Sequence, residues 1–133
     1  MPAMANLTVK AANGTTDVTL VQLKPASGDN DPAVWREDAA TGTPGQKPTL
    51  SMTTKSNGPK TGRRSDVSYK GHQVVTDSTT GLTSVENTFV LNASALVPVN
   101  MPTAVTTEHI ARACNAMATA LIKQAIADGY APS

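Results

Sequence analysis

Between Thr106 and Gly129 apolar residues recur at helical spacing, and no other long stretch of the chain shows that period. Ile110, Cys114, Met117, Leu121, Ile122, Ala125 and Ile126 fall on one stripe, while Glu108, Arg112, Asn115, Thr119 and Lys123 fall elsewhere. The pattern predicts one amphipathic helix over residues 106–128, bent or continuous, since that stretch shows no breaker. Thr106 or Thr107 would cap its first turn, Glu108 would face the positive end of its dipole, Lys123 would lie toward the negative end, and Gly129 would supply a left-handed stop. Everything before this segment reads as strand and turn, so the apolar stripe needs a sheet to cover.

The chain has 133 residues, about the size of one domain with one core, and residues 1–133 are read as a single unit. Aromatic residues make up only 3% of it, namely Trp35, Tyr69, Phe89 and Tyr130, so the large side chains that usually fill a core are scarce. A single chain is therefore expected to be poorly filled. The net charge of +1 excludes both an acidic solvating chain and a protein that binds nucleic acid through bulk positive charge. Any such role must come from local charge. Cys114 is the only cysteine, which rules out an intrachain disulfide, and its place on the stripe reads as a buried structural thiol. Residues 1–6 lack the basic and apolar regions of a signal peptide, and no run approaches the ~20 apolar residues of a membrane span. Secretion and membrane insertion are thus unsupported. Asn6-Leu7-Thr8, Asn13-Gly14-Thr15 and Asn92-Ala93-Ser94 match the glycosylation pattern as the chance yield of a Thr-rich chain.

Leu7, Val9 and Ala11 alternate with Thr8, Lys10 and Ala12; Asn13-Gly14 follows, and Val18, Leu20 or Val21, and Leu23 resume the pattern. Asn-Gly between alternating runs predicts a hairpin over residues 6–24. Ala26 to Pro32 is a turn-rich loop; Asp29, Asn30 and Asp31 lack the spaced ligands and closing Glu of a calcium loop. A sheet is predicted over residues 33–97. Its parts are a short strand at 33–39, a strand at 48–56, a turn at Asn57 to Gly62, a strand region at 63–77, and a long strand from Leu82 to Leu96. Gly71 in the middle of the fourth run suggests a bend or bulge that divides it. Pro98 and Pro102 end the pairing and lead into the helix.

No catalytic constellation is present. His72 and His109 are the only histidines, there is no Gly-x-Ser-x-Gly elbow, and no spacing suits a metal, so the reading is of a protein that is not an enzyme and carries no cofactor. His109 reads as a surface or cap residue in the first helical turn. The informative feature is one strand face. Antiparallel neighbours would set Thr49, Ser51, Thr53 and Lys55 beside Arg64, Ser68, Lys70 and His72, with Glu86 and Thr88 on the next strand if the order is a meander. On charge alone this is an ordinary solvated face. Cations and hydroxyls are equally what phosphate contacts and unstacked bases require.

An Asn-Gly hairpin, a meander with Ser, Thr and Lys on one face, a proline-marked exit and a C-terminal helical segment together resemble the coat proteins of single-stranded RNA bacteriophages over almost the whole chain. The resemblance implies an α+β fold in which the helical segment packs on the sheet of a dimer partner. It also implies an obligate homodimer that assembles into an icosahedral capsid, with the chain's inner sheet face against a single-stranded RNA genome and an operator hairpin as a candidate target. RNA contacts are implied at Thr49, Ser51, Thr53, Lys55, Arg64, Ser68, Lys70, His72, Glu86 and Thr88. Ser51, Thr53, Lys55, Lys70 and Thr88 are the best matches among these. The aromatic that some members stack on a base has no equivalent, since Tyr69 belongs to the other face and position 86 is Glu. Ile110, Cys114, Met117, Leu121 and Ile122 would form the dimer interface. The implied location is the virion, with synthesis in the bacterial host cytoplasm and no membrane partner. A secreted or surface β-rich adhesion or binding module would also fit the Thr richness and short strands; the terminal helix and the absence of a signal peptide count against it.

Overall fold

A computed structural model describes residues 2–133. The chain divides into two units, Met1–Leu96 and Val97–Ser133. The first is built on six strands, β1 (Leu7–Lys10), β2 (Asp17–Lys24), β3 (Ala33–Arg36), β4 (Thr49–Ser56), β5 (Gly62–Thr76) and β6 (Thr83–Pro98), paired in sequence order as one antiparallel meander.

Polar side chains that fold back onto their own backbone build the turns. Between β1 and β2, Asn13 Oδ1 accepts the N–H groups of Thr15 (3.0 Å) and Thr16 (2.9 Å), and Gly14 takes a φ of 75° that other residues resist. The Asn-Gly hairpin is therefore formed as its sequence indicates. Between β4 and β5, Asn57 Oδ1 accepts from Gly62 N–H at 3.1 Å, and Lys60 rather than a glycine adopts the left-handed conformation, at a φ of 57°. Between β5 and β6, Asp77 Oδ1 accepts from Thr79 N–H at 2.7 Å and Gly81 turns at a φ of 71°. Gly71 does not divide β5, which runs unbroken. A Cβ there would stand 3.3 Å from the Tyr69 ring, so the glycine makes room for that ring along the strand.

Register puts the apolar residues on one face. Leu7 pairs with Leu20 and Val9 with Val18, Trp35 pairs with Leu50, and Leu50 and Met52 pair with Tyr69 and Val67. The Tyr69 and Phe89 rings meet at 6.4 Å, tilted by 57°. Among the described residues, however, Leu20 is the one buried apolar side chain; Phe89 is 50% exposed and Met52 36%.

The second unit holds two helices, α1 (Thr103–Met117) and α2 (Ala120–Asp128), where the periodicity predicted one. The break lies at Ala118 and Thr119. Thr119 is extended, at φ −69° and ψ 151°, and its hydroxyl donates to the Ala116 carbonyl at 2.7 Å, a local bond that competes with the helical ladder. The stripe hides such a break because the period resumes on the far side. Two details change with it. The helix begins at Thr103 after Pro102, so Thr106 is no cap and instead donates its hydroxyl to the Pro102 carbonyl at 3.2 Å; Lys123 falls in the first turn of α2 rather than near a C-terminus. Glu108 pairs with Arg112 at 2.8 Å, and Gly129 provides the left-handed stop at a φ of 79°.

Carboxylates tie the loops of the first unit. Asp31 accepts from Ser27 N–H at 2.8 Å and from Lys24, while Asp29 takes both Arg63 guanidinium donors, at 2.7 and 2.9 Å. Arg63 holds the Asp29 carboxyl below its ordinary value; Lys24 and then Ser27 do the same for Asp31, as do the Thr79 and Thr80 N–H groups for Asp77. Their contributions are thus present above the unfolded value of 3.8 and lost as pH falls through the folded values. Acidification from about pH 5 to about pH 2 should therefore lower amide protection in residues 26–32 and 77–81 ahead of the strands. Asp31→Asn should blunt that response in the first loop. Protection factors from hydrogen exchange at several pH values measure both effects.

Candidate nucleic-acid interface

The face opposite the apolar one carries the candidate RNA-contacting residues. In β4 and β5 the pairs Thr49–Lys70, Ser51–Ser68, Thr53–Asp66 and Lys55–Arg64 stand directly opposite, and alternation puts all eight side chains on one side of the sheet. The His72 ring nitrogen Nδ1 and the Thr88 hydroxyl lie 3.0 Å apart, which brings the β6 residues Thr88 and, two positions earlier, Glu86 onto that side. All the candidate positions read from sequence therefore share one surface. Lys55, Arg64, Lys70, Glu86 and Thr88 are exposed, and Thr49, Ser51, Thr53, Ser68 and His72 are half-buried.

The electrostatics of this face are uneven. Lys55 and Arg64 are like charges directly opposite, an arrangement that weakens strand pairing unless an anion lies nearby. Asp66 supplies one, with its Oδ1 3.2 Å from Arg64 Nε. The Ser94 hydroxyl, and then Arg64, hold the Asp66 carboxyl below the usual carboxylate range. At the other end, Arg36 pairs across the sheet with Thr49 and so adds a cation to the row that contains Lys70; its Nε donates to Asp38 at 2.6 Å.

Sequence reasoning left out Arg36, Asp66 and Ser94 as site residues. Asp66 was legible on this face in the alternation Arg64, Asp66, Ser68. Arg36 needed the register of β3, which the Trp35–Leu50 pair sets. The residues expected at a dimer interface divide between the helices. Ile110, Cys114 and Met117 are in α1, Leu121 and Ile122 in α2. Cys114 is exposed rather than buried as its place on the stripe suggested, and α1 has no buried residue. His109 is exposed on α1.

No protein-family model and no curated protein sequence matches the chain. Solved structures do. The protein of the virus-like particle of bacteriophage NT-214 is 19% identical over 99% of this chain and 100% of that one, with a TM-score of 0.81. That of Beihai levi-like virus 21 is 16% identical over 99% of each chain, with a TM-score of 0.78. The bacteriophage GA capsid protein is 16% identical over 94% of each, with a TM-score of 0.74. This chain has the RNA phage coat-protein fold. An antiparallel meander followed by a C-terminal helical segment is the architecture that the sequence resemblance implied; here the meander has six strands and the segment forms two helices, and the match spans nearly every residue.

Within the coat-protein fold, the cations of the polar face generate a prediction. Lys55→Ala with Lys70→Ala should weaken binding of single-stranded RNA and make the log–log salt dependence shallower by about 0.7 for each phosphate contact removed. Both lysines are exposed, so the sheet itself should be unaffected. Titration of the parent and the double variant at several salt concentrations measures the slope; identical slopes would mean that this face is simply solvated.

Proposed function

We propose that this chain is a phage coat protein that dimerises and assembles into a closed icosahedral shell around single-stranded RNA, and that it resides in the virion. The observation that carries this reading is the match of 99% of the chain to the protein of a virus-like particle at a TM-score of 0.81. Two features of the residues support it independently. The polar face presents Lys55, Arg64 and Lys70 among hydroxyls, a surface suited to phosphate and to unstacked bases. The apolar stripe of the helices is largely uncovered in one chain, with Leu121 63% exposed, Ile110 49%, Met117 46% and Ile126 42%. Apolar side chains spaced along a stripe in this way mark a contact surface, worth about 25 cal/mol for each Å² that a partner buries. On this reading the partner is a second copy, in keeping with the closed symmetry of homo-oligomers.

Electron microscopy of the purified recombinant protein should reveal uniform closed particles that contain nucleic acid. Leu121→Asp provides the sharper test. In an isolated chain the substitution falls on an exposed position, where such changes typically shift stability by under about 0.5 kcal/mol. In the assembled protein it buries an unpaired charge. Particles should therefore vanish from the variant, and normal particle yield from it would refute the role given to the helical stripe.

A further inference from the structure

The feature that fits a purely phosphate-binding face least well is Asp66. A carboxylate on a surface that meets phosphates repels them, and among the residues paired across β4 and β5 on that face it is the single acid. Its surroundings are specific. Arg64, Asp66, Ser68, Asn92 and Ser94 line a shallow concavity on β5 and β6. Arg64 Nε lies 3.2 Å from Oδ1, the Ser94 hydroxyl lines the same concavity, and Ser94, Arg64 and Lys55 all favour the charged carboxylate. These neighbours favour the ionised group. An ionised carboxylate offers about four acceptor sites, and the bond from Arg64 occupies one of them.

We propose that this concavity binds an unpaired guanine, with the two Asp66 oxygens accepting from N1–H and the N2 amino group of its Watson–Crick edge. The inference rests on the reading of this face as the RNA-contacting one. The chemistry selects one base. Guanine alone presents two adjacent donors on that edge. Adenine and cytosine each set a ring-nitrogen acceptor beside their amino group, and uracil flanks its one donor with carbonyl oxygens, so each of them turns an acceptor toward the carboxylate. Asn92, Ser68 and the Arg64 guanidinium supply donors for the guanine O6 and the adjoining phosphate. The acid thus contributes base choice on a surface whose cations contribute affinity without choice.

The full-length chain, freed of copurifying RNA, would be titrated with labelled uridine-rich 12-mers that carry one central guanosine, adenosine or inosine. The parent should prefer guanosine to adenosine by at least about fivefold, the low end of what a bidentate base contact discriminates, with inosine, which lacks the N2 amino group, in between. Asp66→Asn, which keeps the shape of the side chain, should abolish the preference while binding all three RNAs at least as tightly as the parent binds adenosine, because a negative charge is removed. Salt-dependent binding with no guanosine preference in the parent would overturn the guanine site and leave the RNA-facing assignment standing. A preference that survives in Asp66→Asn would likewise overturn it. Absence of salt-dependent RNA binding altogether would remove both. The comparison of guanosine with inosine uses the parent alone, so it decides the matter even if the variant misfolds.

Discussion

The structure turns on a shortage of covering surface. A sheet with one apolar face and a pair of helices with one apolar stripe each need a neighbour, yet Leu20 is the single buried apolar side chain among the described residues. Few aromatics are available to compensate: Trp35, Tyr69, Phe89 and Tyr130 make up 3% of the chain, Phe89 is half exposed and Tyr130 is 81% exposed. Folding must offset a backbone entropy of about 1–2 kcal/mol per residue, and in a small domain apolar burial is the main term that can do so. On the proposed reading, a chain that leaves its stripe at Ile110, Met117, Leu121 and Ile126 open defers part of that burial to association.

The opposite face is organised by charge. Strand alternation separates the two chemistries so cleanly that one register places Trp35, Leu50 and Tyr69 on one side and Arg36, Thr49 and Lys70 on the other. A shift by one residue would exchange them, so apolar pairing holds the polar surface in place. Asp66, between Lys55, Arg64 and Ser94, interrupts the cations and hydroxyls that β4 and β5 present on this face, and on the guanine reading that interruption is its most informative point.

Much of this was legible in the residues. Alternation and the turn residues Asn13-Gly14, Asn57 to Gly62 and Asp77 to Gly81 located the strands to within a few positions, because each turn is closed by side chains adjacent in sequence. The faces of β4, β5 and β6 followed from the same alternation. What escaped notice depends on contacts or competition that periodicity does not record. Thr119 breaks a helix without disturbing its stripe, Gly71 relieves the Tyr69 ring rather than bending the strand, and Cys114 lies exposed although it falls on the apolar stripe. The face that Arg36 takes depends on register across β3, which no local pattern records, whereas Asp66 stands in plain alternation with Arg64 and Ser68.

The central claim is that this fold is completed by a second copy. Native mass spectrometry of the RNA-free, disassembled chain over a wide dilution series, with circular dichroism on the same samples, tests it most directly. The account predicts that native strand and helix signal persists only where the species has twice the chain mass, and that dilution below the dimer range removes signal and mass together. A species of single-chain mass that retains the full native spectrum would contradict it.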